Sequence, residues 1–265
     1  MGLDRDLKER IRHAFDYDYG GRLTEIANRA LTIDAPILII GLGGTGADAV
    51  IRIKKRIYDC FRRDQNDQVD DTEKPENIEY LVMDSDPGYA KISCGGVGFT
   101  ESLHECLIFR EDGLVSSLKN VETPDYIRNW INPELRHLLY NSNCSSACIR
   151  QVGRLSFFYN IAWIKDVLEN KIKKVTSNYS NDVPLHVFIL SGVCGATGGG
   201  TFIDVAYIVR ALSEAIDNSR WVNRIGLLFM PDVNMGMHSI NSARREILKK
   251  NGFAALKELD YLMKI

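Results

Sequence analysis

Residues 37–50 read ILIIGLGGTGADAV, an apolar run followed by a glycine-rich turn and the start of a helical pattern. The run 37–40 is typical of a strand that is buried on both faces. Gly41, Gly43 and Gly46 match the G-x-G-x-x-G spacing of loops that hold phosphate, where glycine lets the backbone approach the ligand and the next helix offers free N–H groups. This order predicts the first unit of an α/β fold.

A second glycine-rich turn, residues 195–201 with the sequence GATGGGT, follows the apolar run 185–190. Such a run is costly in conformational entropy, which favours a functional reason for it. Two glycine loops at the carboxyl ends of parallel strands can hold one polyphosphate from two sides. Thr197 could add its hydroxyl to a phosphate oxygen or to a magnesium ion. No lysine follows as in G-x-x-x-x-G-K-[ST], so this loop is not a Walker loop.

The rest of the chain fits an α/β fold, with a Rossmann-like mostly parallel sheet and helices on both faces. Hydrophobic periodicity predicts strands 37–40, 78–83, 185–190 and 224–230 and helices 47–61, 155–175, 202–216 and 240–264. Residues 91–153 carry no pattern that assigns elements with the same clarity. We expect an N-terminal helical extension over 1–34 and a nucleotide-binding domain over 35–265.

Composition excludes several classes of protein. The 265 residues are 45% hydrophobic and 26% charged, as in an ordinary globular protein, and the net charge of −2 gives no field that attracts nucleic acid. No apolar run approaches the roughly 20 residues that span a bilayer, so no membrane insertion is expected. The N-terminus lacks a signal peptide pattern. The six scattered cysteines lack a zinc or disulfide spacing, and a cytoplasmic protein is therefore predicted.

At this point the chain resembles the tubulin/FtsZ superfamily, and within it the bacterial tubulin-like proteins. The residues that carry the resemblance are ILIIGLGGTGADAV (37–50), LVMDSDPGYA (81–90), FILSGVCGATGGGT (188–201) and ARREILKKNGFAALKELD (243–260). Their order covers nearly the whole chain. The resemblance implies a protein that binds GTP or GDP with Mg²⁺, and that in full length self-associates into protofilaments and hydrolyses GTP between subunits.

The resemblance also implies particular contacts to a guanine nucleotide. In the first loop these fall on Gly43, Gly44, Thr45 and Gly46, with Asp48 where the family usually has asparagine. The tubulin signature GGGTGTG or GGGTGSG falls on residues 194–200, and its phosphate contacts are expected at Gly195, Ala196, Thr197, Gly198 and Gly199.

Further expected contacts lie elsewhere along the chain. A third phosphate loop should include Ser146 and Ala147, which lack the glycines usual there. After the fourth strand, the nucleotide contacts of the family fall on Asn241 and Arg245, although either neighbouring arginine, Arg244 or Arg245, could equally lie on a solvated helix face.

The metal site implied by the resemblance consists of Asp84 and Asp86, which would contact magnesium or its waters. No catalytic residue is expected, because in this family the catalytic acid comes from a loop beyond the central helix of a neighbouring subunit. The helical rhythm continues to the last residues, which predicts a chain truncated before that helix and the C-terminal domain. Such a chain would bind nucleotide with little or no turnover.

Three alternatives stay open. The run GLGGTG followed by LVMDSD also resembles the ATP-dependent adenylyltransferases of the ubiquitin-activating type, which lack a second loop like GATGGGT. A Rossmann dehydrogenase would need an acidic residue about 20 positions after the first loop, and here the next strand ends at Asp84, roughly twice too far. The third alternative is a tubulin fold that binds no nucleotide and acts as an interaction scaffold.

Overall fold

The computed structural model describes residues 35–63, 75–110, 127, 129–132, 135, 148–235 and 241–264. The chain divides into two compact units, one of Met1–Asp34 with Arg56–Pro75 and one of Ala35–Lys55 with Glu76–Ile265. In the first unit the described residues are 56–63 and 75. The helices predicted within 1–34 lie outside the described residues, so the N-terminal extension stays a prediction.

The second unit is built on a five-stranded sheet in the described part of the chain. Its strands are β1 (Ile37–Leu42), β2 (Ile78–Asp84), β5 (Cys106–Ile108), β6 (Leu185–Gly192) and β7 (Val222–Phe229). The spatial order is β5-β2-β1-β6-β7, and every pair of neighbours is parallel. The two short strands β3 (Ser93–Cys94) and β4 (Val97–Gly98) form a separate antiparallel pair. The predicted Rossmann-like α/β class is therefore confirmed.

Helices connect and flank these strands. They are α1 (Gly43–Arg63), α2 (Arg150–Tyr159), α3 (Ile161–Thr176), α4 (Thr197–Ile216), α5 (Pro231–Met235) and α6 (Ser242–Leu262), with 3-10 turns at Pro87–Lys91 and Glu101–Leu103. None of the helices in the described ranges is both long enough and apolar enough to cross a bilayer.

The main core lies between the sheet and helices α3 and α4. Alternate residues of β1, namely Leu38, Ile40 and Leu42, belong to one buried cluster with Leu168 of α3 and Val205 of α4. This alternation follows from the two-residue period of a strand, which sends successive side chains to opposite faces. Burial on both faces explains why β1 has no charged residue and why five of the seven residues of β2 are apolar.

The predicted helix over 155–175 is wrong as a single element, because the structure divides it at Asn160 between α2 and α3. The Asn160 amide donates to the carbonyl oxygens of Arg110 and Ser156, and its Oδ1 accepts the Arg110 backbone N–H. An asparagine side chain that bonds to the backbone competes with the helical ladder. The break therefore attaches the helices to the segment after β5.

Candidate nucleotide site

The candidate site is a cavity of about 760 Å³ at the carboxyl ends of β1 and β6. These strands are neighbours in register, with Leu42 opposite Ser191, so both end at the same level. Along the sheet, β2 lies next to β1 in one direction and β6 lies next to β1 in the opposite direction. Ligands of open α/β sheets bind at such a switch in strand order. We call it the glycine cavity.

The first glycine loop, residues 41–46, combines packing glycines with glycines that face the cavity. A Cβ on Gly46 would lie 2.5 Å from the Leu190 carbonyl oxygen, and one on Gly41 would lie 2.7 Å from the Gly46 oxygen. These two glycines let α1 approach the sheet. Gly43 has a φ of 69°, in the left-handed region that glycine adopts without strain. Gly43 and Gly44 line the glycine cavity, and Gly46 does not.

The second glycine loop, residues 195–201, contains the first turn of α4 and touches the first loop. A Cβ on Gly43 would lie 3.0 Å from the Gly198 backbone nitrogen. A Cβ on Gly198 would in turn lie 2.8 Å from the Leu42 oxygen at the end of β1. At Gly195, by contrast, an added Cβ would meet nothing within 4 Å, although this residue lines the cavity. The contact between the loops therefore brings two helix N-termini to one cavity.

Both helix starts leave N–H groups for a ligand. The first turns of α1 and α4 contain no acidic residue, and no side chain caps the N-terminus of α4. The first N–H groups of a helix have no partner inside the helix, and the aligned peptide dipoles give that end a positive potential. Two such ends side by side suit a polyanion.

The two threonines of the loops make different hydrogen bonds. The Thr197 hydroxyl donates to Oδ1 of Asp84 at 3.2 Å, which joins the start of α4 to the end of β2. The Thr45 hydroxyl accepts from Nδ2 of Asn234 at 3.2 Å. Oδ1 of the same asparagine accepts from the Cys194 thiol at 3.2 Å. Thus Asn234 of α5 contacts residues of both strand ends, and the sequence pattern did not identify it.

Three carboxylates lie on the other side of the cavity. Asp84 is 4% exposed, and burial raises its pKa although its Oδ1 accepts the backbone N–H groups of Ser85 and Asp86. In the described part of the chain no donor reaches its Oδ2. Asp86 caps the following 3-10 turn through its Oδ1, which accepts the Gly88 N–H at 2.8 Å. Partial burial also raises the pKa of Asp48, against the opposing effect of Arg52.

Tyr89 is a cavity residue that the sequence pattern did not single out. It is half-buried, and its hydroxyl lies against the first glycine loop, where a Cβ on Gly44 would be 2.1 Å away. Burial raises the pKa of this phenol, and the nearby carboxylates of Asp48, Asp84 and Asp86 raise it further. The phenol therefore stays protonated at neutral pH and can donate a hydrogen bond. An aromatic residue five positions after a strand gives no signal of this role in a single sequence.

Helix α6 closes the remaining wall of the cavity. Asn241 is its N-cap and accepts the Arg244 backbone N–H at 2.9 Å through Oδ1. The structure places Arg244, and not Arg245, on the cavity wall. Asn251, near the middle of the same helix, donates to the carbonyl oxygens of Cys148 and Cys194 at 2.6 and 2.9 Å. These two bonds attach α6 to the residues that come just before α2 and just before the second glycine loop.

The structure therefore brings most of the predicted site residues together. Those that line the glycine cavity are Gly43, Gly44, Thr45, Asp48, Asp84, Asp86, Gly195, Ala196, Thr197, Gly198 and Asn241. Gly46 packs against the sheet, and Gly199 lines a second cavity beside Arg150 and Glu258. Ser146 and Ala147 lie outside the described residues, so the predicted third loop stays a prediction.

A family model described as tubulin like matches residues 38–264 of the chain. Because the match covers most of the sequence, the chain belongs to the tubulin-like family. The parallel five-stranded sheet and its flanking helices agree with the Rossmann-like nucleotide-binding fold of that family. A search among curated proteins gives no match.

Proposed function

We propose that the glycine cavity binds the phosphates of a guanine nucleotide. The observation that carries this proposal is the contact between Gly43 and Gly198, which sets the N-termini of α1 and α4 side by side at one cavity. Together they offer N–H groups and positive potential to several phosphate oxygens at once. The adjacent Arg244 adds the one positive side chain among the lining residues described.

Mg²⁺ fits the opposite wall of the same cavity. In the described part of the chain, no cluster of three or more histidine, cysteine or carboxylate side chains could hold a metal unaided. Mg²⁺ in nucleotide sites is bound by one or two carboxylates, with phosphate oxygens and waters completing its shell. Asp84 and Asp86 supply such a pair, and Oδ2 of Asp84 is available for it. The ion would neutralise phosphate charge that three nearby aspartates would otherwise repel.

The guanine base and the assembly of subunits rest on family membership. A tubulin-like protein is expected to bind GTP, to self-associate into protofilaments and to hydrolyse GTP at the contact between subunits. Within one chain, the residues that line the glycine cavity would bind and orient the phosphates. We therefore propose nucleotide binding for the chain itself and hydrolysis only in an assembly. The bacterial and cytoplasmic assignments remain predictions.

The test is a calorimetric titration of the purified protein with GTP and ATP, each with Mg²⁺ and with EDTA. One portion of the protein is first denatured, and any nucleotide that it releases is identified by chromatography; the native remainder is freed of nucleotide and titrated. We expect GTP to bind more tightly than ATP. Removal of Mg²⁺ should weaken GTP binding at least about tenfold, because the three carboxylates then face the phosphates without a counterion.

Two results would overturn this proposal in different ways. A clear preference for ATP would favour the adenylyltransferase reading, which pyrophosphate exchange would then check. Absence of binding at millimolar nucleotide would favour a scaffold that has kept the fold of its family without the ligand.

A further inference from the structure

The Asn234 side chain connects the first glycine loop to Cys194, the residue directly before the second glycine loop. It lies in α5 (Pro231–Met235), immediately after β7, and reaches Cys194 with Oδ1 and Thr45 with Nδ2. Both distances are 3.2 Å. Cys194 is fully buried and fixed through its carbonyl by Asn251, so this end of the chain of hydrogen bonds is anchored in the protein.

The two hydrogen bonds from Cys194 to Asn234 and from Asn234 to Thr45 have the same donor-to-acceptor direction. Burial raises the pKa of the Cys194 thiol to about 11, so the thiol keeps its proton at neutral pH and donates to the amide oxygen. The amide oxygen of Asn234 only accepts and its NH₂ group only donates, so this contact turns the NH₂ group toward Thr45. The Thr45 hydroxyl then accepts, and Asn234 does not use its proton.

The proton of Thr45 has a restricted choice of partner. A Cβ on Gly192 would lie 2.9 Å from the Thr45 oxygen, so the hydroxyl packs directly over the end of β6. Within the described ranges, no protein acceptor takes this proton, and Thr45 lines the glycine cavity. Thr197 differs, because its proton is committed to Asp84 and its oxygen lone pairs remain for a cation or a water.

We propose that Asn234 is a positioning residue that turns the Thr45 hydroxyl toward a phosphate oxygen of the bound nucleotide, with Cys194 fixing the orientation of the Asn234 amide. The inference rests on the proposed function, and it assigns a donor role to Thr45 and an acceptor role to Thr197. A hydroxyl already held in the donating orientation loses less rotational freedom on binding, which strengthens a charge-assisted hydrogen bond.

The test is a double-mutant cycle on GTP affinity, measured by calorimetry with Mg²⁺. Thr45→Val removes the donor, and Asn234→Ala removes the group that orients it. We expect about a tenfold loss for Thr45→Val, as for a hydrogen bond to a charged group, and about a fivefold loss for Asn234→Ala. The double variant should lose no more than Thr45→Val alone, because Asn234 acts only through Thr45.

Conservative replacement separates orientation from simple structural support. Cys194→Ala should weaken GTP binding about threefold, and Cys194→Ser, which keeps a donor, should recover most of that loss. Asn178→Ala is the matched control, since Asn178 is exposed in the turn after α3. Thermal unfolding checks that each variant is folded. If Asn234→Ala does not fold, Asn234→Leu, which has a similar volume, replaces it in the cycle.

The outcomes distinguish this inference from the proposed function. Absence of nucleotide binding by the unchanged protein overturns both. Normal binding by the unchanged protein, with additive losses in the cycle or with no recovery in Cys194→Ser, overturns only the positioning role of Asn234.

Discussion

At the residue scale, Asp84, which we propose as a ligand of Mg²⁺, is kept buried at a cost in stability. It lies at the carboxyl end of β2 and is almost completely buried, although a carboxylate is stable there only when hydrogen bonds compensate for lost hydration. Ser85, Asp86 and Thr197 supply donors to one oxygen, and burial still raises its pKa above the ordinary 3.8. Its ionised form is therefore costly in the protein without ligand.

Replacement of the Asp84 carboxylate by an amide should change the stability of the protein in a way that depends on pH. Because the folded state raises the pKa of Asp84, the stability tied to its proton is complete below pH 3.8 and is lost as the pH rises through the raised value. At pH 7, Asp84→Asn should thus increase the melting temperature by a few degrees and weaken Mg²⁺–GTP binding. The gain should vanish on acidification below pH 3.8.

Asp217 provides a control of opposite sign. The hydrogen bond from the Ser219 hydroxyl lowers the pKa of Asp217, so its stabilising effect is present above pH 3.8 and is lost as the pH falls through the lowered value. Asp217→Asn should therefore decrease the melting temperature at pH 7. A decrease for Asp84→Asn as well would contradict our account of Asp84.

The buried thiols give a second prediction at the residue scale. Burial raises the pKa of Cys106 to about 12, helped by the neighbouring Asp84, and that of Cys194 to about 11. Only the thiolate reacts with alkylating reagents, so at pH 8 about a thousandth or less of either group is reactive. Mass spectrometry after brief treatment with iodoacetamide should find both cysteines unmodified in the folded protein. Full modification of both cysteines after denaturation is the control. Rapid labelling of Cys194 in the folded protein would contradict the raised pKa of this thiol.

At the scale of elements, a buried ion pair attaches α3 to the sheet. Glu79 of β2 is 1% exposed, and one of its oxygens accepts from Lys171 of α3 at 2.9 Å. Lys171 also donates to the Leu103 carbonyl oxygen at 2.9 Å, and Lys174 reaches the other Glu79 oxygen at 2.9 Å. Removal of Lys171 takes the buried counter-charge from Glu79, and Lys174, whose side chain is 55% exposed, compensates for the buried carboxylate less well.

Lys171→Met should therefore lower the free energy of unfolding by about 3 kcal/mol, measured by urea denaturation. The double variant Lys171→Met with Glu79→Met should recover part of that loss, because it also removes the buried Glu79 carboxylate. Lys173→Met is the matched control on the same helix, since the Lys173 pair with Glu169 is exposed and its loss should cost less than about 1 kcal/mol. Equal losses for Lys171→Met and Lys173→Met would argue against the ion pair as the attachment.

Strands and glycine loops could be predicted from the sequence because each has a local signal. Buried strands read as apolar runs, and the loops that follow β1 and β6 read as glycine clusters. The helix starts were predicted too late, at 47 and 202 instead of Gly43 and Thr197, because glycine has low helix propensity yet here forms the first turns. Strand β5 has three residues and gave no recognisable pattern.

Residues that depend on tertiary contacts could not be predicted in the same way. The choice between Arg244 and Arg245 depends on the rotation of α6 about its axis, and counting positions along the sequence does not determine it. The roles of Asn234 and Tyr89 arise from contacts across the sheet, with Thr45, Cys194 and Gly44. A lone asparagine or tyrosine in a loop carries no such information.

On the scale of the whole molecule, topology explains why one cavity collects most of the predicted residues. All ladders of the main sheet are parallel in the described part, so the carboxyl ends of the strands meet at one edge. The order β5-β2-β1-β6-β7 places the change of direction between the two strands that carry glycine loops. The proposed nucleotide site thus lies at the edge where open parallel sheets bind their ligands.

The most direct test of the central claim places a side chain in the glycine cavity without disturbing the empty protein. A Cβ on Gly195 meets nothing within 4 Å, and the same is true of Gly226, which is exposed on β7 away from the cavity. Gly195→Leu and Gly226→Leu are thus a matched pair, to be titrated with Mg²⁺–GTP after their melting temperatures are compared. We predict that Gly226→Leu binds like the unchanged protein and that Gly195→Leu loses affinity at least about a hundredfold, because its side chain occupies the space of the phosphates. Equal GTP affinity in the two folded variants would contradict the assignment of this cavity as the nucleotide site.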